Sequence, residues 1–217
     1  MSISVITVGG LSVNLVSLPA KLAMRSVEFS FSDAVGIVLS QFTGQVQAQE
    51  WPGADAWGVT VGMAPLTQAE ADDWKATLMQ MRGMANAIQL GDPMRPTPNG
   101  SVAGSPEIDN TVVSGNAAMT QTLGTKGWTA SSTGVLLRGD YIQVGYRLHV
   151  VLDTVNSDSS GKATIPIWPS LREIPTDSSA LVTSNCTGLF RRAVNKGTWG
   201  ADVTRLTRLS VQLMEYR

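Results

Sequence analysis

Apolar and polar residues alternate with period two from the start of the chain. Ile3 to Val8 alternate up to Gly9-Gly10, and Leu11, Val13 and Leu15 then alternate with Ser12 and Asn14 until Pro19. Val27, Phe29 and Phe31 are interleaved with Ser26, Glu28, Ser30 and Ser32, which predicts a half-buried strand with one wet face. The segment AWGVTVGM (56–63) repeats the pattern through Trp57, Val59, Val61 and Met63. Between these two, QFTGQVQAQEWPGADA is rich in Gln and Gly and reads as an extended hairpin with two polar faces. Such strands have weakly specified register and pair readily with another chain.

The period changes once. In PLTQAEADDWKATLMQMRGMANA the spacing predicts a helix over about 67–83. Thr67 is its N-cap and Glu70, three residues on, completes a capping box, with Gly83 as the stop. Trp74, Leu78, Met81 and Ala85 form one apolar stripe for a sheet to cover. Residues 87–107 then gather prolines and glycines, a linker or domain boundary. Beyond them, short strands are predicted around 112–113, 119–123, 135–138, 141–144, 147–152 and 163–168, a spacing that suits a small barrel or sandwich. A second boundary falls near Pro175–Ser179. The end of the chain alternates again at Leu209, Val211 and Leu213.

Composition narrows the function classes. Of 217 residues only 15% are charged, against 43% hydrophobic, where about a quarter charged is usual. Much of the surface is therefore expected to face other protein, or to consist of uncharged outer sheet faces. A net charge of −1 argues against phosphate-dominated nucleic-acid binding. The first hundred residues carry five Lys/Arg against eight Asp/Glu and residues 177–217 six against three, a mild asymmetry that head-to-tail contacts between copies could use. The N-terminus has strand alternation rather than a signal peptide's basic and apolar blocks, and no apolar run is long enough for a membrane span. A cytoplasmic origin is expected.

Candidate chemistry is thin. His149 is the only histidine; in RLHVVL it stands opposite Leu148 and Val150 and is expected to point outward or to a sheet edge. Asp140 and Asp153 are near, but no nucleophile motif accompanies them. Asp153, Asn156 and Asp158 before Gly161 hint at calcium, yet the spacing is wrong and Lys162 follows, so a polar turn is expected. Gly9-Gly10 and Gly145 precede no helix and fit no phosphate loop. Cys186, the single cysteine, reads as a small buried residue. Arg191, Arg192, Lys196, Arg205 and Arg208 could make a basic patch, or salt bridges across a subunit boundary. Trp51, Trp57, Trp128, Trp168 and Trp199 could stack on sugars, though core and interface packing is the commoner use. No catalytic residue, cofactor site or metal site is nominated.

Two stretches resemble the distal tail proteins of long-tailed bacteriophages, a family of tail-tip and minor tail structural proteins. The first is WPGADAWGVTVGMAPLTQAEADDWKATLMQMRGMANAIQLGDP (51–93), strand, capped helix and strand running into Gly-Asp-Pro. The second is GVLLRGDYIQVGYRLHVVLDTVNSDSSGKATIPIWPSLRE (134–173). Together they cover about four-tenths of the chain. The resemblance implies a mainly β protein without catalytic residues. A ring-forming, β-sandwich-like domain (1–100) with one packed helix would be followed by a small β-barrel (101–176), OB-like or galectin-like. Residues 177–217 would follow, and a return of the last strand (209–216) to the first domain would make the barrel an insertion. Residues 36–50 would pair with the neighbouring subunit. The implied partners are copies of itself in a hexameric ring, the tail tube protein, and hub and receptor-binding or fibre proteins, with no nucleic acid or membrane contact. The implied location is the virion tail tip, after synthesis in the host cytoplasm. Alternatives are another tail adaptor, hub or tube-terminator component, a carbohydrate-binding β-module using exposed tryptophans, or a small hydrolase built around His149.

Overall fold

A computed structural model describes residues 3–111, 116–201 and 206–217. The described residues are mainly β with one helix. β1 (Ile3–Val8) and β2 (Leu11–Val16) form a hairpin, followed by β3 (Met24–Ser32), the hairpin β4 (Val35–Leu39) and β5 (Val46–Glu50), β6 (Ala56–Met63), α1 (Gln68–Gln80) and β7 (Ile88–Leu90). Then come β8 (Gly104–Ile108), β9 (Thr122–Trp128), β10 (Tyr141–Val144), β11 (Arg147–Val151), β12 (Ala163–Trp168) and β13 (Gly188–Arg192). β14 (Gly200–Ala201), β15 (Thr207–Arg208) and β16 (Ser210–Glu215) end the chain. The expected strand at Val112–Val113 lies outside the described residues.

Two five-stranded antiparallel sheets dominate. The first has the order β3-β6-β16-β13-β7 and the second β10-β11-β12-β9-β8. On β6, Trp57, Val59, Val61 and Met63 are all buried, facing Val211 and Leu213 of β16. α1 covers this core with Ala71 and Trp74, joined by Met81 just past its end, and the Trp74 indole N–H donates to the Leu22 carbonyl at 3.1 Å. The Glu70 carboxylate accepts the Thr67 backbone N–H at 3.0 Å, as the capping box requires. The helix is shorter than its apolar stripe: it stops at Gln80, Arg82 and Gly83 turn to positive φ, and Ala85 is exposed.

The second core gathers Ile108, Leu123, Trp128, Ile142, Val151, Ile165 and Ile167. Its two edge strands are joined by residues 179–182, which bond to Pro106 and Ile108 on one side and Gln143 on the other. The cores meet on β11. Leu148 belongs to the first and Val151 to the second, while Tyr141, Val150 and Trp168 also pack on the first. β11 thus has both faces covered.

Three expectations are corrected here. Residues 135–138 form no strand; Val135 and Leu136 fill the second core from a turn, and Leu136 makes only an isolated bridge to Val155. Conversely β8 emerges from the Pro/Gly-rich stretch. Pro106 is tolerated because β8 is the last strand of its sheet and its register shifts between Gly104 and Glu107. Finally, His149 does not face outward: only 3% of it is exposed, because the face opposite Leu148 is also buried.

Candidate functional site

The hairpin of β4 and β5 stands apart from both sheets. Its strands pair in register from Val35↔Glu50 to Leu39↔Val46, and neither belongs to a larger sheet among the described residues. Both outer edges therefore keep unpaired backbone N–H and C=O groups. Its apolar residues are exposed: Ile37 at 69%, with Val38, Leu39 and Val46 close to that, and Phe42 at the tip at 98%. A hairpin is present over 35–50, but the stretch 41–56, expected to form one with two polar faces, supplies only its turn and β5; the first strand, β4, precedes that stretch and exposes apolar residues on both faces.

The base of this hairpin is held firmly. Asp33 and Asp55 bracket it in sequence, and both carboxylates are engaged by residues 168–170. Asp33 accepts the Trp168 indole N–H at 2.7 Å. Asp55, buried, accepts the Ser170 backbone N–H at 2.5 Å, the Ser170 hydroxyl at 2.9 Å and the Gly53 N–H at 2.9 Å. The Trp51 N–H also donates to the Ala34 carbonyl at 3.0 Å, closing the two feet on each other.

Beneath the base lies a buried ionic junction between the sheets. Glu215 of β16 accepts the Trp57 N–H at 3.1 Å and the Arg172 guanidinium at 2.9 Å, with Arg147 Nη1 at 3.7 Å from its other oxygen. Arg147 also donates to the Tyr216 carbonyl, and Arg172 donates to the Asp55 carbonyl at 2.6 Å. Burial pushes the Glu215 carboxyl up, and Arg172 opposes this. Breaking such a pair leaves a buried charge uncompensated.

His149 sits at this junction. Its Nδ1 is 2.8 Å from the Pro169 carbonyl oxygen, which can only accept, so Nδ1 carries the hydrogen and the neutral ring leaves Nε2 bare. Nε2 is buried with no hydrogen-bond partner. Burial holds the imidazole down at about 4, and only partly does the Pro169 carbonyl oppose it. The hydroxyl of Ser170, next to Pro169, donates to Asp55 at 2.9 Å. The geometry joins no nucleophile to a base here.

The other residues weighed as candidate chemistry are held in separate local contacts. Asp140 accepts the Asn99, Gly100 and Leu137 N–H groups and ties residues 99–100 to the turn that enters β10. Asp153 accepts the Thr154 N–H and Asp158 the N–H groups of Ser160 and Lys162, fixing local turns, while Asn156 accepts the Gly134 N–H and joins two separate segments. Among the described residues no three His, Cys, Asp or Glu side chains are grouped to hold a metal ion, and no helix is long and apolar enough to cross a membrane. Cys186 is buried with Sγ 3.3 Å from the Tyr141 and Val182 carbonyls, and burial pushes its thiol up to about 11. Gly9-Gly10 and Gly145 form hairpin turns at positive φ. Arg191 lies over the Tyr216 ring and Arg192 is buried against Gly197, whereas Lys196 and Arg208 are exposed; Arg205 is outside the described residues. Trp57 and Trp128 are core residues, Trp168 is half-buried, and Trp51 and Trp199 are about half exposed.

No protein-family model matches the chain, and no curated protein matches it either. The site residues that sequence reasoning missed are Asp33, Asp55, Arg147, Arg172 and Glu215. One signal was available: Glu215 continues the inward series Val211, Leu213, placing a carboxylate on a core-facing position.

Proposed function

We propose that this chain is a structural subunit of a bacteriophage tail tip, a distal tail protein whose copies close into a ring. The observation that carries this reading is the β4–β5 hairpin, apolar, exposed and unpaired at both edges, on a base clamped by Asp33 and Asp55. A monomer in water gains nothing from displaying Phe42, Ile37 and Val38 in this way; a neighbouring subunit that pairs with the edges and covers the side chains does. Ring closure removes the open edge for every copy at once. In this reading residues 1–100 with the returning strand β16 are the ring-forming, sandwich-like unit. Residues 101–176 are a small barrel projecting from it, inserted ahead of the C-terminal segment. The ring links tail tube to hub and receptor-binding proteins, and the chain has no catalytic role.

Native mass measured across a concentration series, with negative-stain images of each species, tests the proposal. Wild-type protein should form closed rings near six copies, and deletion of residues 36–50 should leave a folded monomer. Rings that survive this deletion, or a wild-type monomer at every concentration, would overturn the assignment.

A further inference from the structure

A cleft of about 230 Å³ opens at the foot of the hairpin, lined by Trp51, Trp168, Asp33, Glu50 and Gln121. Its volume lies below the range of about 300–1,000 Å³ typical for drug-sized ligands, and suits a single sugar ring. We propose that this cleft is a subsite for one uncharged pyranose residue of a glycan. The proposal does not rest on ring formation.

Three features carry it. First, Trp51 is a fixed shelf, although 54% of it is exposed. Its ring edge lies so close over β4 that a Cβ on Gly36 would come within 2.7 Å of it, and its backbone is bonded at both sides, N–H to Ala34 and carbonyl to Ala54. A large apolar surface held rigid outside the core loses little entropy on binding. Second, Trp168 is also locked: its indole N–H is committed to Asp33, and Trp57 and Phe31 meet it edge-on at 4.5 and 5.8 Å. Third, the polar lining is dominated by acceptors. The exposed Glu50 carboxylate and Gln121 amide have no hydrogen-bond partner among the described residues, and no cationic side chain lines the cleft. A pyranose offers the complement, an apolar C–H face for the indole and a rim of hydroxyl donors for the carboxylates. The acceptors disfavour phosphate, uronate and other anionic ligands.

Trp199 is the internal control. It is similarly exposed, but its ring carries the Lys75 ammonium 5.6 Å away and no carboxylate lines its pocket.

Full-length protein would be titrated with the methyl glycosides of glucose, galactose and N-acetylglucosamine by saturation-transfer NMR, with choline chloride as a cationic probe of the same aromatic groups. At least one glycoside is expected to bind with millimolar affinity. Trp51→Ala and Gly36→Ala should each weaken it at least about tenfold, or 1.4 kcal/mol. Gln121→Ala should weaken it less, and Trp199→Ala should leave it unchanged. Thermal melts would verify that each variant is folded; Gln121, exposed, supplies the readout if Gly36→Ala is not. Absence of glycoside binding, binding that Trp51→Ala leaves intact, or binding of choline alone would overturn the proposal.

Discussion

Two antiparallel hairpins of similar size differ in almost everything else. β10–β11 buries Ile142, Val144, Arg147, Leu148, His149 and Val151, whereas β4–β5 buries none of its residues. Local sequence does not separate them: VGIVL is at least as apolar as YIQV. What differs is what covers each face. β11 is shared by two cores and is paired on both edges, by β10 and β12, so its polar residues had to be neutralised internally through Glu215 and the Pro169 carbonyl. Among the described residues β4–β5 buries no side chain, and its one carboxylate, Glu50, stands at its foot. A hairpin's hydrophobicity is therefore consistent with either a core or an interface, and only its surroundings decide.

This contrast can be broken at several points. The largest effect is expected at the junction. Glu215→Ala strands Arg147 and Arg172 in a buried site and should cost about 3–5 kcal/mol in denaturant unfolding. Ile142→Ala, a cavity in the second core, should cost about 2–5 kcal/mol. Acid should act through His149. Its folded value of about 4 lies below its ordinary 6.5, so its contribution is complete above pH 6.5 and is lost as the pH falls from there to about 4. At about 1.4 kcal/mol per pH unit this amounts to about 3 kcal/mol, and His149→Gln should flatten the stability profile in that window. The smallest effect on the monomer is expected at the hairpin. Phe42→Asp should change unfolding by less than about 0.5 kcal/mol while abolishing assembly. A large loss of monomer stability there would mean that the tip packs within its own chain.

Legibility in the sequence followed the same division. β6 and β16 were readable because each has one buried and one less buried face, and α1 because Thr67 and Glu70 announce it. β8 was hidden by Pro106, whose cost vanishes at a shifted register. Residues 135–138 looked like a strand because apolar residues can enter a core from a turn. The burial of His149 was invisible to a period-two argument, which assumes one covered face. The clamps at the hairpin base join residues 115 and 135 positions apart, Asp55 with Ser170 and Asp33 with Trp168, and single carboxylates leave no local pattern. An exposed hairpin was legible in the Gln- and Gly-rich stretch, but its apolar first strand, which precedes that stretch, was not.

Hydrogen exchange of the backbone amides as a function of protein concentration tests the hairpin's role most directly. If β4 and β5 are completed by a neighbouring subunit, amides of residues 35–50 should exchange rapidly in dilute protein and become protected as assemblies form, while those of β10–β11 remain protected throughout. Rings that form with residues 35–50 still exchanging at the dilute rate would contradict the account.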